Sequence, residues 1–93
     1  MSEHDDKAFS VSLLSHPTVH GVVQLSWRKY PSITIQGDTL DIILHSLERV
    51  KDTIQEGDYI EAIDSLELMI DDLKSLQESY ESVIKAHGIN RSY

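Results

Sequence analysis

Residues 36–62 read QGDTLDIILHSLERVKDTIQEGDYIEA, and the fold turns on the Gly57-Asp58 pair near the end of that stretch. Upstream of the pair, Leu40, Ile43, Leu47, Val50 and Ile54 recur at spacings of three and four, with Leu44 beside them. That spacing is one apolar stripe on a helix, predicted over 39–56. Asp38 or Thr39 can accept an orphan N–H there as N-cap. Downstream, Asp58 and Glu61 have capping-box spacing, with Asp in place of the usual Ser or Thr. A second helix is predicted over 58–87. Its stripe runs Tyr59, Ala62, Leu66, Met69, Leu73, Leu76, Tyr80 and Val83, is widened by Ile63, Ile70 and Ile84, and closes at His87-Gly88. A two-residue connection forces the helices into an antiparallel hairpin.

At 1.5 Å per residue the helices are about 27 and about 42 Å long. Folded back at Gly57, the first runs out opposite about residue 75 of the second. Leu76, Tyr80, Val83 and Ile84 then need other cover. A sheet from the first half of the chain is the expected cover, which makes a monomer the expectation. A homodimer with a seam at 76–84 is the alternative.

The first half reads as strands. Phe9, Val11 and Leu13 alternate with Ser10 and Ser12. Val19, Val23, Leu25 and Trp27 share a parity with Gly21, opposite His20, Gln24 and Ser26. Period-two alternation marks strands with one buried face. Ser15-His16-Pro17-Thr18 supplies a turn, because Pro17 presets its φ and cannot donate to a ladder. Pro31 breaks the next connection, and the β-branched Ile33-Thr34-Ile35 follows as a third strand. Residues 1–7 are expected to be disordered. The predicted fold class is α+β, a single domain over 8–93 with a small antiparallel sheet of two or three strands from 8–35 packed on the two-helix hairpin. Trp27, Leu47, Leu66, Leu73 and Tyr80 are its expected core.

Composition narrows the function classes. The 93 residues carry 8 Lys+Arg against 16 Asp+Glu, a net charge of −8. Residues 8–36 hold no acidic side chain, whereas 38–87 hold 13 of the 16. Binding to nucleic acid needs a basic footprint, and attraction to an anionic membrane needs the same, so neither is expected. There is no Cys, hence no thiolate nucleophile or Cys-type zinc site. The polar, acidic start is unlike a signal peptide, and the longest mainly apolar stretch, Leu40–Leu47, is far short of the roughly 20 residues of a membrane span. A cytoplasmic location follows as the expectation.

No catalytic residue, metal ligand or cofactor is assigned. His16 and His20 are four apart, but Pro17 lies between them and no third ligand accompanies them. His45 falls opposite the apolar stripe of the first helix. There is no nucleophile elbow or phosphate loop, and the chain is not expected to be an enzyme. The second helix with its cap carries eight acids and only Lys74 and Lys85. At 100° per residue, Asp64, Glu67, Asp71 and Glu78 fall within about 60° of one another, opposite the apolar stripe. A solvated face explains such a stripe. A docking surface for a basic protein partner also explains it, with Leu68 as its apolar centre and Ile60 and Ile42 as outlying contacts.

Trp27-Arg28, Pro31, Ile33, Ile35-Gln36-Gly37-Asp38-Thr39-Leu40, Tyr80-Glu81, Val83, His87-Gly88-Ile89 and Tyr93 resemble the motif pattern of a family of short bacterial proteins of uncharacterised function. The resemblance covers about residues 27–93 and departs at Ser92, where the family has Pro. It implies a small α+β protein and supplies no activity. In size, acidity and lack of reaction chemistry the chain is also similar to immunity proteins that neutralise toxins passed between bacteria, although no motif carries that likeness. The expected function is therefore an acidic protein-binding inhibitor, most concretely an immunity protein covering a basic surface of a toxin such as a nuclease. The alternative is a homodimeric structural or adaptor protein with the helical hairpin as its seam.

Overall fold

Three strands precede two helices in the computed structural model, which describes residues 9–16 and 20–93. The strands are β1 (Val11–Leu13), β2 (Val22–Leu25) and β3 (Ser32–Ile33), and the helices are α1 (Gly37–Gln55) and α2 (Tyr59–Ala86). The expected disorder of residues 1–7, and Ala8, Pro17, Thr18 and Val19 of the predicted strands and turn, lie outside the described residues. The protein is α+β, with an antiparallel sheet and a helical hairpin. By its contacts the chain forms two units: the sheet segment, up to Ile35, with Glu78–Tyr93, and the hairpin segment Gln36–Gln77.

In the first unit the strand order is β1-β2-β3. Val11 pairs with Leu25 and Leu13 with Val23, while Val22 pairs with Ile33. Side-chain oxygens extend this short ladder. The Val22 N–H donates to Ser15 Oγ (2.9 Å) and the Ser10 N–H to Ser26 Oγ (3.0 Å). Gly21 donates to Thr34 Oγ1 (3.0 Å), and the Thr34 N–H returns a bond to Gly21 O (2.8 Å). A Cβ on Gly21 would stand 3.2 Å from that hydroxyl oxygen, so the missing side chain permits the approach. Gln24 Nε2 donates to the carbonyls of Leu25 and Arg28 and braces the turn after β2.

Burial in the sheet departs from simple alternation. Val22 and Val23 are both buried. Neighbours on a strand point to opposite faces, so the central strand is covered on both. Val11 and Leu13 are exposed because β1 is a three-residue edge strand. Trp27 lies beyond the end of β2, half exposed, and meets the Phe9 ring edge-on at 5.8 Å. Its expected burial is thus corrected, since it caps an edge instead of entering a core.

The C-terminal part of α2 completes this unit. Ile84 is 2% exposed, and Tyr80 and Val83 are half-buried. The Tyr80 hydroxyl donates to Pro31 O (2.9 Å) beside the buried proline. Burial, and then the neighbouring Tyr93 phenol, push the Tyr80 hydroxyl above its usual pKa. His87 Nε2 lies 2.9 Å from Leu14 O, where a carbonyl makes it a donor. Cover for the end of α2 therefore comes from its own unit.

The second unit is the hairpin. α1 starts two residues before and ends one residue before the predicted span 39–56, and α2 starts one residue after 58 and ends one before 87. The N-cap is corrected: Gln36 occupies that position without a side-chain bond, and Asp38 sits in the first turn, accepting from the Thr39 N–H (2.9 Å). Its charge there opposes the positive end of the helix dipole. Gly57, at φ +84°, ends α1. The Gly57 N–H donates to Ile54 O and the Asp58 N–H to Thr53 O, which is the Schellman pattern. Asp58 then caps α2 by accepting the Glu61 N–H (3.2 Å). Gly88 repeats the stop at the far end, with φ +72° and the Ile89 N–H donating to Ile84 O.

Leu47 (47%) and Leu73 (48%) are exposed, and Leu66 is only half-buried, which corrects the expected core. Val50 and Ala62 are the buried apolar side chains of the hairpin. Two helices bury only the line along which they meet, and Leu47 and Leu73 lie to one side of it.

Candidate functional site: an open seam on the helical hairpin

Each helix of the hairpin carries two parallel rows. On α1 the row Thr39, Ile43, Ser46, Val50, Thr53 is buried or half-buried throughout. On α2 its counterpart is Ala62, Ser65, Met69 and Leu76, likewise withdrawn from solvent. These inner rows are rich in small and β-branched side chains. Beside them run outer rows of larger residues at steps of four and three: Leu40, Leu44, Leu47, Lys51, Ile54 on α1, and Tyr59, Ile63, Leu66, Ile70, Leu73, Gln77 on α2. Such steps average 3.5 residues, the repeat of a helix–helix seam.

Both outer rows fall on the same face. Each is displaced about 90–100° from its inner row in the same rotational sense, and the helices run antiparallel, so the displacements converge on one side of the hairpin. Eight of these side chains, Leu40, Leu44, Leu47, Ile54, Tyr59, Ile63, Ile70 and Leu73, are between 43% and 63% exposed. Together they present roughly 800 Å² of accessible surface, polar atoms included, against the roughly 300–600 Å² of the largest apolar patch on a typical monomer.

The residues expected to bind a partner are placed differently. Asp64, Glu67, Asp71 and Glu78 are exposed, on the side of α2 opposite Ala62, Ser65 and Met69. Ile60 shares that side at 78% exposure. Ile42 and Leu68 are exposed too, and their positions put them on the hairpin face opposite the outer seam. Leu68 thus adjoins the acidic stripe, whereas Ile42 joins it only across the width of the hairpin. At the head of α2, hydrogen bonding with Asp58 and its like charge raise the Glu61 carboxyl above its ordinary pKa.

Of the seam positions, the sequence pattern assigns Leu47, Leu66 and Leu73 to the core. The seam's signal was the excess width of the stripes, with Ile63 and Ile70 at four-and-three steps from Tyr59 and Leu66. One buried contact line accommodates one row per helix, and two rows leave one unpaired.

Other chemistry is sparse. His45 Nδ1 contacts Asp41, its neighbour four residues back, and both are exposed. Arg91 pairs with Glu81 at 3.1 Å and stacks over Tyr93, beside a shallow depression of about 250 Å³ lined by Ile84 and Ile89. Lys29 sits over the Tyr30 ring. Among the described residues, no group of three or more His, Asp or Glu is placed to hold a metal ion, and no helix is long and apolar enough to cross a membrane.

Fold and surface together define a small acidic α+β protein whose helical hairpin leaves an apolar seam uncovered. The chain belongs to a family of unknown function, DUF6959, whose model matches residues 6–93. No curated protein and no solved structure shows significant similarity to it.

Proposed function

We propose that this chain is a protein-binding module with no reaction of its own, an adaptor or structural protein that works in the bacterial cytoplasm through its helical hairpin. The exposed outer seam carries the reading. Removing apolar surface from water is worth about 25 cal/mol per Å² before the costs of association. A regular row of leucines and isoleucines in solvent therefore favours docking against protein.

A second reading has its own support. Leu68 is 69% exposed and stands between Asp64 and Asp71 on a helix that is net −6 with its cap. An apolar centre with an acidic rim suits a basic protein partner, as an immunity protein neutralising a toxin would require. Complementary charge would speed that association and orient it.

Affinity capture from the native host separates the two. The baits are the wild type, the seam variant Leu47→Lys/Ile70→Lys, and the stripe variant Asp64→Lys/Glu67→Lys/Asp71→Lys. A partner lost only by the seam variant supports the adaptor reading. One lost only by the stripe variant, with binding weakened by salt, supports the inhibitor. Partners retained by both folded variants would remove the hairpin from the function.

A further inference from the structure

We infer that the outer seam closes against the outer seam of a second copy of this chain, so that two hairpins form an antiparallel four-helix bundle. The inference rests on the reading of the hairpin as a protein-binding surface, and it names the occupant.

Seam number comes first. A helix in an isolated pair meets one neighbour and needs one apolar row. A helix in a four-helix bundle meets two neighbours and needs two rows side by side. Both α1 and α2 have two. The inner rows, with Ala62, Ser46 and Ser65, are already buried or half-buried in the chain. The outer rows keep the four-and-three register along almost the whole hairpin, from Leu40 to Ile54 and from Tyr59 to Gln77. Their natural complement is another antiparallel pair with the same register. A two-fold axis supplies it at no cost in new sequence, because an isologous interface uses one patch twice.

Area and charge agree. Fully covered, the eight open side chains would contribute up to roughly 800 Å², comparable with the share each partner buries in a standard-size stable interface. Two copies of a −8 protein repel one another, so the shared face has to be free of carboxylates. The eleven seam positions hold Lys51, Gln77 and nine apolar or aromatic residues, and no Asp or Glu. The Lys51 stem can lie along the seam while its ammonium reaches the rim. The acidic stripe of α2 points elsewhere and stays solvated in the dimer.

The expectation of a monomer rests on cover for Leu76, Tyr80, Val83 and Ile84, of which Leu76 is half-buried in the hairpin unit and the other three belong to the sheet unit. The open surface lies instead on residues 40–73 of the hairpin. The seam is thus moved from the end of α2 to the hairpin proper.

Sedimentation equilibrium on the full chain tests this, with far-UV circular dichroism to confirm folding. The wild type should sediment at twice 10.6 kDa in the micromolar range. Leu47→Lys/Ile70→Lys should sediment as a folded monomer, and Ile42→Lys/Leu68→Lys, on the opposite face, should remain a dimer. If the charged seam variant does not fold, Leu47→Ala keeps helix propensity and should weaken dimerisation about tenfold or more. A wild type that is monomeric at high micromolar concentration overturns the inference. So does a dimer that tolerates the seam substitutions, or one that dissolves on changing Ile42 and Leu68. If the wild type is monomeric and the seam variant loses a captured heterologous protein, only the choice of occupant fails. If the wild type is monomeric and capture is indifferent to the seam, the protein-binding reading of that face fails as well.

Discussion

Truncating Ile84 to alanine should destabilise the protein far more than truncating Leu73, although both belong to the same apolar stripe of α2. Ile84→Ala removes three carbons from a side chain that is 2% exposed. Transfer alone costs about 0.8 kcal/mol per buried methylene, or roughly 2.5 kcal/mol, and an unfilled cavity raises the total to about 3–4 kcal/mol. Leu73 keeps about half its surface in water, so Leu73→Ala should cost about 1 kcal/mol in the monomer. A chain of this length holds only about 5–10 kcal/mol in all, so Ile84→Ala removes a large share. Urea unfolding at low protein concentration measures both. Far-UV circular dichroism follows the helices, while fluorescence of Trp27, the single tryptophan, follows the sheet unit. Ile84→Ala should move the midpoint strongly at constant slope. At high protein concentration the Leu73→Ala deficit should grow, because the dimer seam is then engaged, whereas the Ile84→Ala deficit should not. Equal costs at low concentration, or a larger cost at Leu73, would refute the assignment of buried and open rows on α2.

Gly57→Ala should lower stability by about 1–2 kcal/mol in thermal unfolding, because φ +84° strains any L side chain and the site is otherwise sterically open. Tyr80→Phe should cost about 1 kcal/mol by leaving the Pro31 carbonyl without its donor. Because the folded-state pKa of Tyr80 is raised, its contribution is fully present below the unfolded value near 10 and is lost as pH rises through the folded value. The gap between wild type and Tyr80→Phe should therefore shrink in alkaline denaturation and stay constant at neutral pH. Glu61→Gln should be neutral or slightly stabilising at pH 7. It removes the like charge beside Asp58 that raises the Glu61 carboxyl and keeps an amide suited to the capping box. The stability Glu61 gives is present when it is protonated and fades as pH rises through the raised folded value, so the variant's advantage should vanish in acid.

The helices were legible because their signals are local and redundant. Gly57 and Asp58 each do one task at one place, a left-handed stop and an N-cap, and three- and four-residue spacing marks the rows on either side. Strand limits were less legible. Trp27 continues the parity of Val23 and Leu25, yet the chain leaves the ladder after Leu25 and Gln24 braces the turn. No alternation pattern records that side-chain bond. The start of α1 was misplaced for a similar reason: Asp38 has the chemistry of an N-cap, but its carboxylate serves the adjacent Thr39 N–H from inside the first turn. Leu47 and Leu73 were misassigned because apolar spacing reports that a residue shuns water. It does not report whether cover comes from the same chain or from another.

That distinction is sharpest along α2, which changes environment near Gln77. Beyond that point its apolar residues belong to the sheet unit, Ile84 is sealed, and Tyr80 is tied to the backbone at Pro31. Before it, one row is withdrawn from solvent and a second, regularly spaced row, Leu66 apart, is largely open to it. A chain of this size buries only about 60–65% of the surface its unfolded form exposes, so an apolar row without cover is a substantial fraction of what it could have buried. Polar residues on the outer row would have kept α1 and α2 helical, since Val50 and Ala62 of the inner rows are the most deeply buried side chains of the hairpin. Leucine and isoleucine at Leu40, Leu44, Leu47, Ile63 and Ile70 are only about half covered within the chain. The same positions become covered once a second hairpin lies across them, and that difference is what the charged substitutions at Leu47 and Ile70 expose.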